Sequence, residues 1–448
     1  MTNIAETFRN AFKIPELRAK LIFTLIILVL YRIGAAVPVP FVPAGALDAL
    51  FDMAGEDGIF GFLNILSGQA FSSATLFALG IQPYITASIV MQLLTIAIPA
   101  LEKLQKSGDE GRKKITQITR YLTVALGLVT GFGYYMTIRA FGMIAYDTLF
   151  VGIVVVVCYA AGSSLIMWLG ERINENGVGN GISIILFANI ISTLPAWIMG
   201  MISVVVFQIT GTGTAASVIG EIVRVVVILA GAIVVLGFVV YMSNAERRLP
   251  VQYSKRMVGR KMYGGQNTYL PIKVNMSGVM PIIFATSMVS VPGMIINFTN
   301  PTPVHGTFAL HLSRLFSPVS PLYMVICFAL IIAFAYFYIS ISFNPLEVSN
   351  NLQKNGGFVP GIRPGKPTVT YITKILNKIV LIGGLFLGVV TVFPLIINSI
   401  ASAVAPQWGL GAIAFGGSSL LIVVGVALET TREIEAQMTM RHYKGFLE

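Results

Sequence analysis

Apolar residues run along this chain in long unbroken stretches parted by short polar ones, a pattern unlike the periods of 2 or 3.6 that mark half-buried strands and surface helices. A helix needs about 20 apolar residues to cross the hydrocarbon core, because every backbone polar group must be satisfied within the segment. Ten stretches meet that requirement, near 21–38, 74–99, 121–138, 149–169, 182–208, 217–243, 278–297, 321–343, 379–404 and 411–428. The pattern predicts an all-α polytopic membrane protein whose ten transmembrane helices leave both termini on one side.

The connections carry further signals. Between the first two spans lies IFGFLNILSGQAFSS (59–73), apolar, too short to cross, and broken by Gly61 and Gly68. It predicts a re-entrant helix beside a cavity on the outer face, since irregular backbone at membrane depth needs protein or water around it. An amphipathic helix lying at the interface is the alternative. In the loop 244–277, PVQYS and NTYLPIKV alternate in strand fashion around Gly259, Arg260 and Lys261, which predicts a projecting hairpin. The loop 344–378 holds FVPGIRPGKPT, whose Gly and Pro residues forbid helix and force turns. Its Gly365–Lys366 pair is no phosphate loop, because Pro360 and Pro367 stand where a glycine and a Ser or Thr belong. The organisation reads as a terminus 1–20, a five-helix half 21–208, a second half 209–428 and a tail 429–448. Five spans per half require the halves, if related, to be inverted in the membrane.

Composition makes the bilayer the solvent: 55% of the 448 residues are hydrophobic and 11% charged, with a mean hydropathy of +0.81. The net charge of +11 suits nucleic acid, anionic lipid headgroups or a topology signal until the charges are placed. Twenty-six of the 30 Lys and Arg residues fall in 1–20, 100–120, 170–181, 244–277, 344–378 and 429–448, leaving only Arg32, Arg139, Arg224 and Arg314 elsewhere. Such one-sidedness puts those six segments and both termini in the cytoplasm. The first twenty residues are mixed polar and charged, so the run from Leu21 reads as an uncleaved first span.

Candidate chemistry is sparse. Cys158 and Cys327 sit inside apolar runs as small core residues, and His305, His311 and His442 form no zinc pattern. No carboxylate or histidine stands near the centre of a span, which disfavours an ion-coupled carrier and leaves a facilitator of a neutral solute open. No nucleophile and base pair for an intramembrane enzyme is identifiable. Ile81, Ile85 and Ile89 recur every four positions in ALGIQPYITASIVMQLL (78–94). The stripe is lipid-facing, core, or a constriction that gates a wet pore by dewetting, and composition does not separate these.

Seven strings in order resemble the SecY family along nearly the whole chain: YRIGAAVPVP (31–40), ALGIQPYITASIVMQLL (78–94), GDEGRKKITQITRY (108–121), GVGNGISI (177–184), LPIKVNMSGVMPIIFA (270–285), FNPLEVSNNLQKNGGFVPGIRPG (343–365) and FGGSSLLIVVGVALE (415–429). The resemblance implies a clamshell of two inverted five-helix halves around a central hourglass pore that conducts unfolded polypeptides and releases transmembrane segments sideways into the bilayer. It implies a plug at 59–73, including Phe62, Leu63, Asn64 and Ile65, and a pore ring of Ile81, Ile85, Ile182, Leu186, Ile283 and Ile422. Leu186 stands where isoleucine is common in the family. A lateral gate between spans two and three and spans seven and eight resembles the family's polar seam at Gln92, Asn275 and Ser287. Arg256, Arg260, Lys261 and Arg363 match positions that dock the SecA motor or a translating ribosome, although each single basic residue also reads as a solvated topology charge. Implied partners are SecE and SecG subunits, SecA, the ribosome, signal sequences and unfolded preproteins, anionic lipids and an accessory membrane insertase. The resemblance implies no cofactor and no catalysis, and a place in the plasma membrane.

Overall fold

The computed structural model describes residues 9, 11–43, 64–144, 146, 148–210, 215–253, 256–258, 261–263, 267–299, 311–312, 315–317, 320–404 and 417–444. Phe62, Leu63 and Arg260 lie outside the described residues.

A helix meets each of the ten apolar stretches. The spans are α1 (Pro15–Gly34), α2 (Gln82–Ala97), α4 (Asp109–Ala140), α5 (Leu149–Asn176), α6 (Gly181–Thr210), α7 (Ala215–Asn244), α8 (Met280–Thr299), α9 (Pro321–Ser342), α11 (Lys366–Val404) and α12 (Gly417–Lys444). Short helices α3 (Pro99–Lys106) and α10 (Pro345–Lys354) lie between them. Five described helices are long and apolar enough to cross a bilayer by length and composition, or six if the bent pair α2–α3 counts as one span.

The second span departs from expectation. Its helix begins at Gln82 rather than near 74, because Gly80 takes a left-handed conformation (φ 55°) and Pro83 occupies the first turn. At its far end the chain turns by 101° into α3, which carries Lys103 and Lys106 in its last turn. The preceding segment differs too: among its described residues 64–67 are helical and 68–81 fold back through turns, so the described part of the expected re-entrant helix beyond Ser67 is a packed loop. Gly68 (φ 67°) ends that helical turn.

On the side assigned to the cytoplasm, β1 (Glu246–Tyr253) and β4 (Asn267–Lys273) pair antiparallel from Glu246↔Lys273 to Gln252↔Asn267, and β2 (Arg256–Val258) pairs β3 (Lys261–Tyr263) nearer the tip. The hairpin is thus present. The next long loop adds β5 (Gly357–Phe358) to the other edge of β1, giving the order β4-β1-β5. Gly357 permits this approach, since a Cβ there would lie 2.9 Å from the Tyr253 ring. That loop is less turn-rich than its Gly and Pro content predicts: α10 fills 345–354, and α11 starts at Lys366 with Pro367 in its first turn, where a missing N–H costs nothing.

The largest buried cluster joins spans one, two, four to ten through Tyr31, Ile85, Ile166, Leu186, Val239, Ile283, Ile331, Leu387 and Ile422 among others. A second packs spans three, four and seven around the folded-back loop, with Phe71, Ala74, Tyr134, Tyr159 and Met294. Cys327 is buried among the first; Cys158, partly buried, packs against the second. Across α4 and α5, Arg120 meets Glu171 at 2.8 Å and ties the two helices together.

Candidate pore and seam

Six aliphatic side chains singled out in the sequence converge. Ile81, Ile85, Leu186, Ile283 and Ile422 are buried members of the central cluster, and Ile182, partly buried, packs against it. They come from α2 and its N-cap, α6, α8 and α12. Ile89 belongs to the same cluster, so the stripe of the second span faces inward rather than to lipid. On α6, Ile182, Leu186 and Asn189 fall at i, i+4 and i+7 and share one face. The centre is shut: the cavity beside it, lined by Leu66, Ser67, Ile81, Gln82, Leu186 and Met294, measures about 20 Å³, room for about one water molecule.

The segment 64–80 packs against this closed centre. Asn64 accepts from the Ser72 N–H through Oδ1 at 2.9 Å, and Ser67 donates to the Asn64 carbonyl while accepting from the Phe71 N–H, both at 3.0 Å. Ile65 is half-buried. The helix walls hold the segment by its backbone: Tyr134 donates to the Phe71 carbonyl, Asn189 Nδ2 to the Leu66 carbonyl at 2.7 Å and Arg32 to the Gly68 carbonyl at 3.5 Å. Sequence reading passed over Asn189, a lone amide in an apolar run whose partner lies 123 residues away.

The three expected seam residues do not meet through hydrogen bonds among the described residues. Gln92 donates to Ser88 on its own helix at 3.3 Å. Asn275 precedes α8 and its buried Oδ1 has no hydrogen-bond partner; a Cβ at Gly383 of α11 would lie 4.0 Å from the Asn275 Cα. Ser287 is buried on α8. The close contact between α4 and α8 is apolar instead, where the Phe298 ring rests on Gly133. Gly133 lies in a run of small residues along α4, a signal that marks close helix approach without naming the partner.

Arg363 is exposed in the turn between β5 and α11. Gly361 (φ 81°) and Gly365 (φ 98°) shape that turn, and Thr368 donates to the Arg363 carbonyl at 2.9 Å. Arg256 and Lys261 stand on β2 and β3, with Lys261 opposite Val258.

A many-span helical bundle with an apolar centre and a segment folded onto it, in a chain that matches translocase subunits over nearly its whole length, makes this molecule a protein-translocation channel. The family model for SecY matches residues 75–431, and the chain belongs to the SecY family. It is 45% identical to a protein translocase subunit SecY of Streptomyces coelicolor and 40% identical to that of Corynebacterium glutamicum, each match covering 98% of this chain and 99% of the relative. Among solved structures, a protein-conducting channel superposes with a TM-score of 0.66 at 19% identity, covering 94% of this chain and 92% of the other. Sec61 from the canine ribosome–channel complex gives 0.61 at 18%, with the same coverage. At such identity the structures speak for the fold, and the relatives for the family.

Proposed function

We propose that this chain is the pore-forming subunit of a translocase in the plasma membrane, with both termini and the loops 100–120, 244–277 and 344–378 in the cytoplasm. The observation that carries the reading is the convergence of Ile81, Ile85, Ile182, Leu186, Ile283 and Ile422 from four spans into one buried cluster. Branched aliphatic side chains are restricted in rotamer and offer no hydrogen bonds, so such a ring closes around an extended polypeptide without adhering to it and excludes water when empty. Segment 59–73 acts as the plug on the outer side of that ring. The two halves 21–208 and 209–428 work as inverted five-helix units, and a translocating segment exits sideways between α2 and α4 on one side and α8 and α9 on the other.

The cytoplasmic sheet is the docking platform. Pairing of β1 with both β4 and β5 ties the hairpin bearing Arg256, Arg260 and Lys261 to the loop bearing Arg363, so a partner engages both loops as one body. Guanidinium groups suit the carboxylates of a motor such as SecA and the phosphates of a ribosome alike. SecE and SecG subunits, anionic lipids and an accessory insertase complete the assembly, and the energy comes from the motor or the membrane gradient. Proteoliposomes holding the chain with its copurifying subunits test the reading: motor-dependent protection of a secretory precursor from external protease is expected, and its absence with correctly inserted channels would reject it. Labelling of an engineered cysteine in 244–277 by an impermeant reagent on intact cells would reject the topology.

A further inference from the structure

The backbone of the folded-back segment is gripped at two points, Leu66 and Gly68, from two spans. Asn189 on α6 is 0% exposed and donates Nδ2 to the Leu66 carbonyl at 2.7 Å. On α1, Arg32 reaches the Gly68 carbonyl at 3.5 Å. Gly68 sits between them in the left-handed region, and a Cβ there would lie 2.9 Å from Arg32 Nη1, 3.1 Å from Asn189 Oδ1 and 3.1 Å from Ser192 Oγ. A residue with a side chain would push the segment off this polar wall.

Asn189 also stands one turn beyond Leu186 on the same face of α6, about 4.5 Å further along the axis toward the outer side. The grip is therefore placed directly above the ring. We infer that Asn189 is the positioning residue that latches the plug shut, through the plug's backbone and independently of its side chains. The inference rests on the reading of 59–73 as a plug and names what holds it. A buried carbonyl left unpaired in an apolar surround is costly, so the hydrogen bond favours the seated state strongly. Release need not leave the amide stranded, because the buried Tyr31 hydroxyl already lies beside Asn189.

The test uses the assembled translocase in planar bilayers, with ion leak normalised to channel number. Asn189→Leu keeps the branched shape and removes the donor. Leak in the absence of substrate should rise about tenfold, the ratio that about 1.4 kcal/mol produces. In a channel deleted for 60–72, Asn189→Leu should add nothing, because a residue acting through the plug has no effect without it. Where Asn189→Leu does not assemble, Asn189→Ala replaces it: the smaller side chain also lacks the donor to the Leu66 carbonyl, and leak should rise in the same way. Unchanged leak in Asn189→Leu would overturn the latch, as would an equal increase with and without 60–72, which assigns the effect to helix packing. Unchanged leak in Asn189→Ala would overturn it likewise. If deleting 60–72 leaves leak at the parent level, the plug reading itself falls, and the latch with it.

Discussion

Phe298 of α8 lies against Gly133 of α4 so closely that a Cβ on the glycine would come within 2.2 Å of the aromatic ring and 2.9 Å of the Phe298 Cβ. The contact packs the third span against the seventh through an apolar ring. A β-branched side chain at position 133 has no room unless the two helices part.

Gly133→Val should therefore shift the molecule toward an open seam and raise the export of precursors with weakened signal sequences several-fold. Phe298→Ala alone should do the same more mildly by losing packing. The double variant should lie closer to Phe298→Ala than the sum of the two effects, since the clash is gone. Strict additivity, read in a reporter-secretion assay at equal channel level, would place the effect of Gly133 elsewhere.

Ile422 is buried in the same cluster as Ile81, Ile85, Leu186 and Ile283. Ile422→Asn puts an amide into an apolar ring, where it holds water instead of excluding it. Conductance without substrate should rise about tenfold for about 1.4 kcal/mol of lost closed-state preference. A fall in protein level with unaltered conductance per channel would mean that Ile422 serves packing alone.

At Arg363, the side chain is exposed while its carbonyl is held by Thr368. Arg363→Glu should leave the thermal midpoint of the purified channel within a degree or two, since an exposed charge contributes little to stability. Motor-driven translocation should be abolished, because reversing a rim charge acts on docking. Inverted vesicles with purified motor measure this directly, and undiminished transport would remove Arg363 from the docking surface.

The tail of the tenth span is tied to the end of the sixth. Arg432 donates to Asn244 Oδ1 at 2.7 Å and to the Ser243 carbonyl at 3.1 Å, where the last carbonyls of α7 lack helical partners. Arg432→Ala should loosen the base of the adjacent hairpin and raise proteolysis within 244–277 several-fold, with Arg432→Lys restoring part of the protection. Equal cleavage rates in parent and variant would show that strand pairing alone secures the hairpin.

Much of this architecture was legible because membrane helices are determined locally. A span satisfies its own backbone hydrogen bonds, so ten apolar runs suffice to announce ten helices, and the placement of 26 basic residues proposes their orientation. The hairpin was equally readable from alternation in PVQYS and NTYLPIKV. Its third strand was not, since the two residues of β5 carry no periodicity. The start of the second span was misplaced for a related reason: residues 74–81 are as apolar as a helix, yet Gly80 and Pro83 set where the helix begins.

By itself, then, the sequence determined the solvent, the spans and the candidate ring. Which face of each span turns inward is a different matter, because bilayer and protein interior reward the same side chains: Ile89 is buried and Ile96, seven residues on, is 52% exposed. The pairings between distant helices were likewise decided only by the tertiary structure. Asn189 and the Leu66 carbonyl are 123 residues apart, Arg432 and Asn244 are 188, and no local pattern encodes a hydrogen bond that exists only when helices distant in the chain pack together.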